Sequence, residues 1–196
     1  MKTADSGHQT RLHRFHGGLR LRHNKQVACR HPLESLPIPQ RLVIPLLQHR
    51  GLPARCVVTP GQRVLKGQLI GDLPDQAANG AIRGSRVHAP TSGVVRALET
   101  RTMAHATGQA GPCVVIDADG KDEWIACEGL TDGFEAPPDQ LRQRLRDAGV
   151  VGLGGAVFPT DHKLDHPVPV HTLILNGAEC EPYIACDEML MREAPE

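Results

Sequence analysis

The sequence is poor in aromatic residues. It holds one tryptophan, one tyrosine and three phenylalanines among 196 residues, so Val, Leu, Ile and Ala must build any core. It has no charge imbalance: 22 Lys and Arg stand against 22 Asp and Glu. That argues against a general nucleic-acid binder, whose footprint is a basic excess. No apolar run approaches the ~20 residues needed to span a bilayer. The N-terminus carries charge but no apolar core of a secretory signal. The expected compartment is therefore the cytoplasm. The six cysteines, at 29, 56, 113, 127, 180 and 186, nowhere form a C-x-x-C pair. A disulfide framework is not expected there.

What is present falls into three zones. Residues 1–36 are basic: Lys2, Arg11, Arg14, Arg20, Arg22, Lys25 and Arg30 face the single acid Asp5 up to residue 30. Such an arm suits an anionic surface or a partner, or is simply a loosely held terminus. Residues 37–128 read as β-rich. "RLVIPLL" (41–47), "ARCVVTPGQRVLKGQLIGDL" (54–73), "VHAPTSGVVRAL" (87–98) and "GPCVVIDADG" (111–120) alternate short valine-rich runs with Pro-Gly, Ser-Gly and Asp-Gly turns. That is the signature of a small barrel or sandwich. "EGLTDGFEAPPD" (128–139) reads as a linker. Residues 137–196 read as α/β. "PPDQLRQRLRDAG" predicts a helix capped by Asp139, with Leu141, Leu145 and Ala148 on one face and Gly149 as the stop. "HTLILNG" (171–177) predicts a buried strand ending at an Asn-Gly turn.

Two constellations point to chemistry. In "GVVGLGGAVFPTDHKL" (149–164), Gly152, Gly154 and Gly155 can take backbone angles closed to other residues. Their peptide hydrogens can converge on an anion. Thr160 is placed to cap a short helix carrying Asp161 and Lys163, and a helix start beside a lysine suits a phosphate. The pattern is neither a Walker A loop nor a dinucleotide fingerprint, and an ordinary structural loop fits the spacing as well. In "LILNGAECEPYIACDEML" (173–190), Glu179 and Glu181 lie two apart before Pro182, which favours an extended backbone. Two carboxylates on one side suit the hydroxyls of a ribose or the electron-poor end of a redox cofactor. A solvated acidic turn is the plainer alternative. No catalytic residue is assigned. No metal site is expected from Cys180 and Cys186, nor from His162, His166 and His171, whose spacings are poor for ligation.

Taken in order, these segments resemble a known family. "PGQRVLKGQLIG" and "VHAPTSGVV" resemble the two halves of a barrel-sandwich hybrid, the fold of biotinyl and lipoyl carriers. The lysine such a carrier displays between its halves has no counterpart in residues 72–87, so a structural module is the expectation. "FHGGLRLRHNK", "PLESLPIPQRLVIPLLQHRG", "VVIDADGKDEWI", the glycine loop and the 173–190 segment complete a resemblance to the RnfC component of the Rnf ion-translocating oxidoreductase complex. More distantly, the chain resembles the NADH-binding flavoprotein subunit of respiratory complex I. The fold this implies is α+β: a barrel-sandwich hybrid domain (37–128), then an incomplete α/β flavin-binding domain (137–196).

The resemblance also implies a peripheral subunit on the cytoplasmic side of the bacterial inner membrane, with other subunits of the complex and NADH as partners. FMN would be the cofactor, with electrons passing on to 4Fe-4S clusters. Residue by residue, Gly152, Gly154, Gly155 and Lys163 would face the FMN phosphate. Asn176 would hold the flavin or its ribityl chain, and Glu179 and Glu181 would lie near the flavin and nicotinamide. Three departures bear on this. Val157 stands where the family has glycine; if φ must be positive there, the cost is ~1–3 kcal/mol, roughly tenfold to a hundredfold in affinity. Ala178 replaces an acid found in the complex I relatives. The cysteine clusters that would take the electrons onward are lacking, so the chain reads as an N-terminal piece, inactive by itself. The alternative function is a docking or assembly module with a vestigial cofactor site.

Overall fold

The computed structural model describes residues 16–19, 21–73, 84–104, 108–130, 133, 135–153, 157–165, 168, 170–172 and 174–195. The chain divides into two compact units, residues 36–172 and residues 1–35 with 173–196.

The larger unit is built on strands β1 (Arg41–Pro45), β2 (Arg55–Cys56), β3 (Arg63–Val64), β4 (Leu69–Asp72), β5 (Val87–His88), β6 (Gly93–Thr102) and β7 (Ala110–Ala118). They form two antiparallel sheets, ordered β1-β7-β6-β3 and β2-β4-β5. The β6–β7 pair is the spine. Alternation along β6 sends Val95 inward and Val94 and Arg96 outward, as a period of two requires. A bulge between Val95 and Ala97 shifts the register against β7, bending the strand around the core. Both sheets turn Ile44, Val64, Ile70, Val87, Val95, Val114 and Ile116 into one cluster. Gly93 must be glycine, because a Cβ there would strike the Asp117 carbonyl. The barrel-sandwich expectation is met by this small, valine-rich double sheet.

The Pro90–Gly93 turn holds the segment after β7. Ser92 Oγ donates to Asp119 (2.6 Å), Thr91 Oγ1 donates to Asp122 (2.9 Å), and the Glu123 N–H donates to Ser92 Oγ (2.9 Å). Lys66 closes the same knot. Its ammonium lies 2.6 Å from Asp122 and 4.9 Å from the Trp124 ring centroid. This lysine therefore has a structural task.

Helix α2 (Pro138–Asp147) follows, α1 being the four-residue turn Lys25–Ala28 of the other unit. The sequence places its cap on Asp139; the structure places it on Pro137, with no side-chain cap bond. Pro138 at the first helical position needs no partner for a missing N–H, which moves Asp139 into the first turn, where it pairs with Arg142. Gly149 ends the helix as expected, at φ +66°. Helix α3 (Thr160–Lys163) likewise starts earlier than expected, by one residue, with Pro159 and not Thr160 as its cap.

In the smaller unit, helix α4 (Cys186–Glu193) buries Met189. The N-terminal segment packs there: Tyr183 N–H donates to the His23 carbonyl (2.8 Å), Lys25 pairs with Glu188 (3.1 Å), and Leu33 N–H donates to Glu193 (2.7 Å). The strand expected at 171–177 does not form. Its described residues make no ladder, and Ile174 and Leu175 are 82% and 86% exposed. A strand needs a neighbour for its backbone groups, and none pairs with it among the described residues.

Candidate functional site

The glycine loop is closed at its base. Val151 and Pro159 form an antiparallel bridge, Gly152 N–H donates to the Phe158 carbonyl (2.8 Å), and Thr160 N–H donates to the Val150 carbonyl (3.0 Å). The peptide hydrogen of Gly152 is thus committed to the loop itself. Its bare Cα matters for another reason: a Cβ there would lie 2.7 Å from Lys163 Nζ. The lysine folds back from α3 so that its ammonium rests against the loop, a position that a side chain at 152 would make it leave. Gly154 and Gly155 lie outside the described residues.

Two bonds brace this arrangement. Asp161, buried on α3, accepts from Arg146 Nε of α2 at 2.8 Å. That ion pair pins the short helix carrying Lys163 against a longer one. At the far side of the loop, the Val157 carbonyl accepts from Arg50 N–H at 3.0 Å. Val157 itself sits at φ +40°, in the left-handed region that β-branched residues avoid.

The other candidate residues belong to the smaller unit. Asn176 is exposed, and its Oδ1 accepts from Ala178 N–H (3.0 Å), a local turn of the kind asparagine favours. Glu179 has a side chain only 4% exposed. Its Oε1 accepts from the Asp187 and Glu188 N–H groups (3.0 and 3.1 Å) at the start of α4, where a carboxylate offsets the helix's unpaired donors and positive end. Lys25 Nζ stands 3.9 Å from the same oxygen. Glu181 is exposed. Both glutamates line one cleft of about 490 Å³, walled also by Leu19, Leu21 and His23. The structure therefore brings Gly152 and Lys163 together in one unit, and Glu179 and Glu181 together in the other. Glu179, Cys186 and Asp187 offer ligand atoms within 4.8 Å of one another, but an ion there would displace the bonds to α4.

Leu19, Leu21 and His23, and the Arg146–Asp161 brace, were not singled out from sequence. The signal for the first was the basic excess before residue 30, which has its counterpart in the acids Glu179, Glu181, Asp187 and Glu188.

A model of the RnfC barrel sandwich hybrid domain matches residues 13–121, a stretch that contains the whole double sheet. The chain belongs to the RnfC family. A second model, the Nuo51 FMN-binding domain, matches residues 145–196, which contain the glycine loop, Lys163, Asn176 and both glutamates. Among similar proteins of this family are the C subunits of the ion-translocating oxidoreductase complexes of Pseudomonas aeruginosa (47% identical over 184 residues, 93% of this chain) and Klebsiella pneumoniae (43% over 180 residues, 91% of this chain). That of Haemophilus influenzae strain 86-028NP is 39% identical over 180 residues. The chain spans about a quarter of the length of these relatives: 23%, 23% and 26%. Among the described residues, no helix is long and apolar enough to cross a membrane.

Proposed function

We propose that this chain is the N-terminal portion of a peripheral electron-transfer subunit of a membrane-bound, ion-translocating NADH:ferredoxin-type oxidoreductase, and that it contributes to an FMN site. The observation that carries this reading is the ammonium of Lys163 laid against Gly152, within the stretch matched by the FMN-binding domain. A loop with a cation seated on its backbone fits the anionic end of a flavin nucleotide. Lys163 would balance the phosphate charge, and the peptide hydrogens of Gly154 and Gly155 would donate to its oxygens. Gly152 contributes space, not a donor, since its own N–H is spent on Phe158. Asn176 would hold the ribityl chain, and Glu179 and Glu181 would lie near the flavin and nicotinamide. FMN, when bound, supplies the exchange between a hydride and single electrons; the protein supplies binding, orientation and electrostatics. The iron–sulfur clusters, and the docking on other subunits at the cytoplasmic face of the inner membrane, would involve parts of a longer polypeptide.

Titration of the chain with FMN and with riboflavin tests this, read by quenching of flavin fluorescence. FMN should bind at micromolar concentration. Lys163→Ala should weaken FMN by about tenfold or more, the order expected for a lost charge-assisted contact to phosphate, while leaving riboflavin within about twofold. Equal losses on both would remove Lys163 from the phosphate.

A second reading, a docking or assembly module with a vestigial cofactor site, has its own support. Val157 strains the loop at φ +40°, and Glu179 is engaged in capping a helix. Failure to bind even at millimolar FMN would leave this reading alone.

A further inference from the structure

A cleft of about 700 Å³ in the larger unit is not part of the glycine loop. It runs between the barrel edge at Gly67 and His88–Pro90, the segment 124–128, and the last turn of α2. Its volume falls in the range of small-molecule sites, about 300–1,000 Å³, and its walls are mostly carbon with a few polar groups.

Three features define what it would take. The first is Trp124, the chain's one tryptophan, which is 59% exposed. Its ring is nonetheless fixed. It rests on Gly67, where a Cβ would come within 3.0 Å of the ring, and Lys66 Nζ lies 4.9 Å from its centroid. A rigid, half-exposed indole in a cleft is a platform for another ring. The second is Arg144. Lys66 and Asp147 of the lining are already engaged, with Asp122 and Arg86 respectively. Arg144 makes no ion pair among the described residues, only a long 3.4 Å bond to the Glu128 carbonyl. Its planar fork matches a carboxylate. The third is the charge of the lining residues: Lys66, Arg144, Glu128 and Asp147 sum to zero. A lining without net positive charge, with one guanidinium unpaired among the described residues, suits a singly charged anion better than a doubly charged phosphate ester.

We propose that this cleft binds a flat aromatic monocarboxylate, its ring against Trp124 and its carboxylate on Arg144. The site is separate from the flavin reading and does not depend on it.

Because Trp124 is the only tryptophan, its fluorescence reports on the cleft directly. The probe is 2-naphthoate, titrated into the full 196-residue chain, with calorimetry as the second readout. Saturable binding with a Kd on the order of 0.1 mM is expected for a ligand of this size. Its neutral analogue 2-naphthamide should bind about tenfold more weakly, and Arg144→Met should weaken 2-naphthoate by a similar factor while leaving 2-naphthamide unchanged. Arg144 is exposed on α2, so the variant should fold, which its circular dichroism would verify. Trp124→Leu, followed by calorimetry, should weaken both ligands. Absence of saturation to 5 mM (~50 times the expected Kd), equal affinity for acid and amide, or displacement of 2-naphthoate by FMN would each overturn the proposal.

Discussion

At the scale of single residues, Val157 shows how a side chain and its backbone can disagree. The chain's own bonds impose its angle: Arg50 N–H holds its carbonyl, and the Val151–Pro159 bridge closes the loop around it. A β-branched residue at φ +40° costs ~1–3 kcal/mol. Since the fold itself fixes the angle, this cost falls mainly on stability, and much less on affinity for a ligand. Val157→Gly should therefore stabilise the chain. The gain is the relieved strain less ~0.5–1 kcal/mol for the greater freedom of glycine when unfolded, so between zero and about 2 kcal/mol in urea denaturation. FMN affinity should change less than the tenfold to hundredfold that strain alone suggests. A large gain in affinity without a gain in stability would mean that the loop adopts this angle only around its ligand. Gly152 gives the opposite case. Gly152→Ala should push Lys163 off the loop, weakening FMN as Lys163→Ala does and sparing riboflavin.

At the scale of elements, helix α4 depends on a carboxylate outside it. Glu179 comes seven residues before the helix begins, yet satisfies two of its first donors. Losing such a cap costs ~0.5–2 kcal/mol. Glu179→Ala should raise hydrogen exchange at the Asp187 and Glu188 amides by about fivefold or more, and unchanged exchange would free Glu179 for another role. The brace between α2 and α3 is testable in a different way. Arg146→Met leaves the buried Asp161 carboxylate without its ion pair; because Arg146 is itself 43% exposed, a loss nearer ~1–3 kcal/mol is expected than the larger cost of a fully buried pair. Adding Asp161→Asn should restore much of it. These elements also mark where the sequence could be read. The valine alternation and Pro-Gly turns made the double sheet legible, and the i, i+4, i+7 spacing of Leu141, Leu145 and Ala148 made α2 legible, because both patterns are local. The run "HTLILNG" misled because apolar content reports a preference for burial, while a strand also needs a neighbour. Helix α4 was not read because its capping carboxylate lies seven residues upstream, outside the usual capping positions, and its partner Lys25 is distant in sequence. In the glycine loop the sequence showed where backbone freedom lay, but not that Gly152 serves Lys163 by lacking a Cβ.

For the molecule as a whole, apolar burial is lopsided. Most buried side chains among the described residues sit in the 36–172 unit, whereas the other contributes Ala185 and Met189. Stability of the chain should therefore be governed by the double sheet, and acid should reach it through His88 and, at lower pH, through a set of aspartates (72, 117, 119 and 122) whose pKa values are all lowered. His88, half-buried on β5, has its pKa pushed below the ordinary 6.5, first by burial and then by the Arg86 cation. Asp72 on β4 has its pKa lowered from 3.8, chiefly by its hydrogen bond with Arg86. In both cases the unfolded chain binds protons more readily than the folded one, so stability rises with pH through each window. The histidine's contribution is intact above about pH 6.5 and is lost as pH falls from there toward its folded value. The aspartate's is intact above about pH 4 and is lost only below. Melting of residues 36–172 should therefore show two losses on acidification. His88→Gln should flatten the first, between about pH 7 and 5, and leave the second. Asp72→Asn should lower stability at neutral pH and make the second loss smaller without removing it, since Asp117, Asp119 and Asp122 still contribute, and should leave the first. A profile in which His88→Gln leaves the upper loss untouched would show that the imidazole is as solvated in the folded sheet as in the unfolded chain, and that the wall it forms beside Trp124 is open to water.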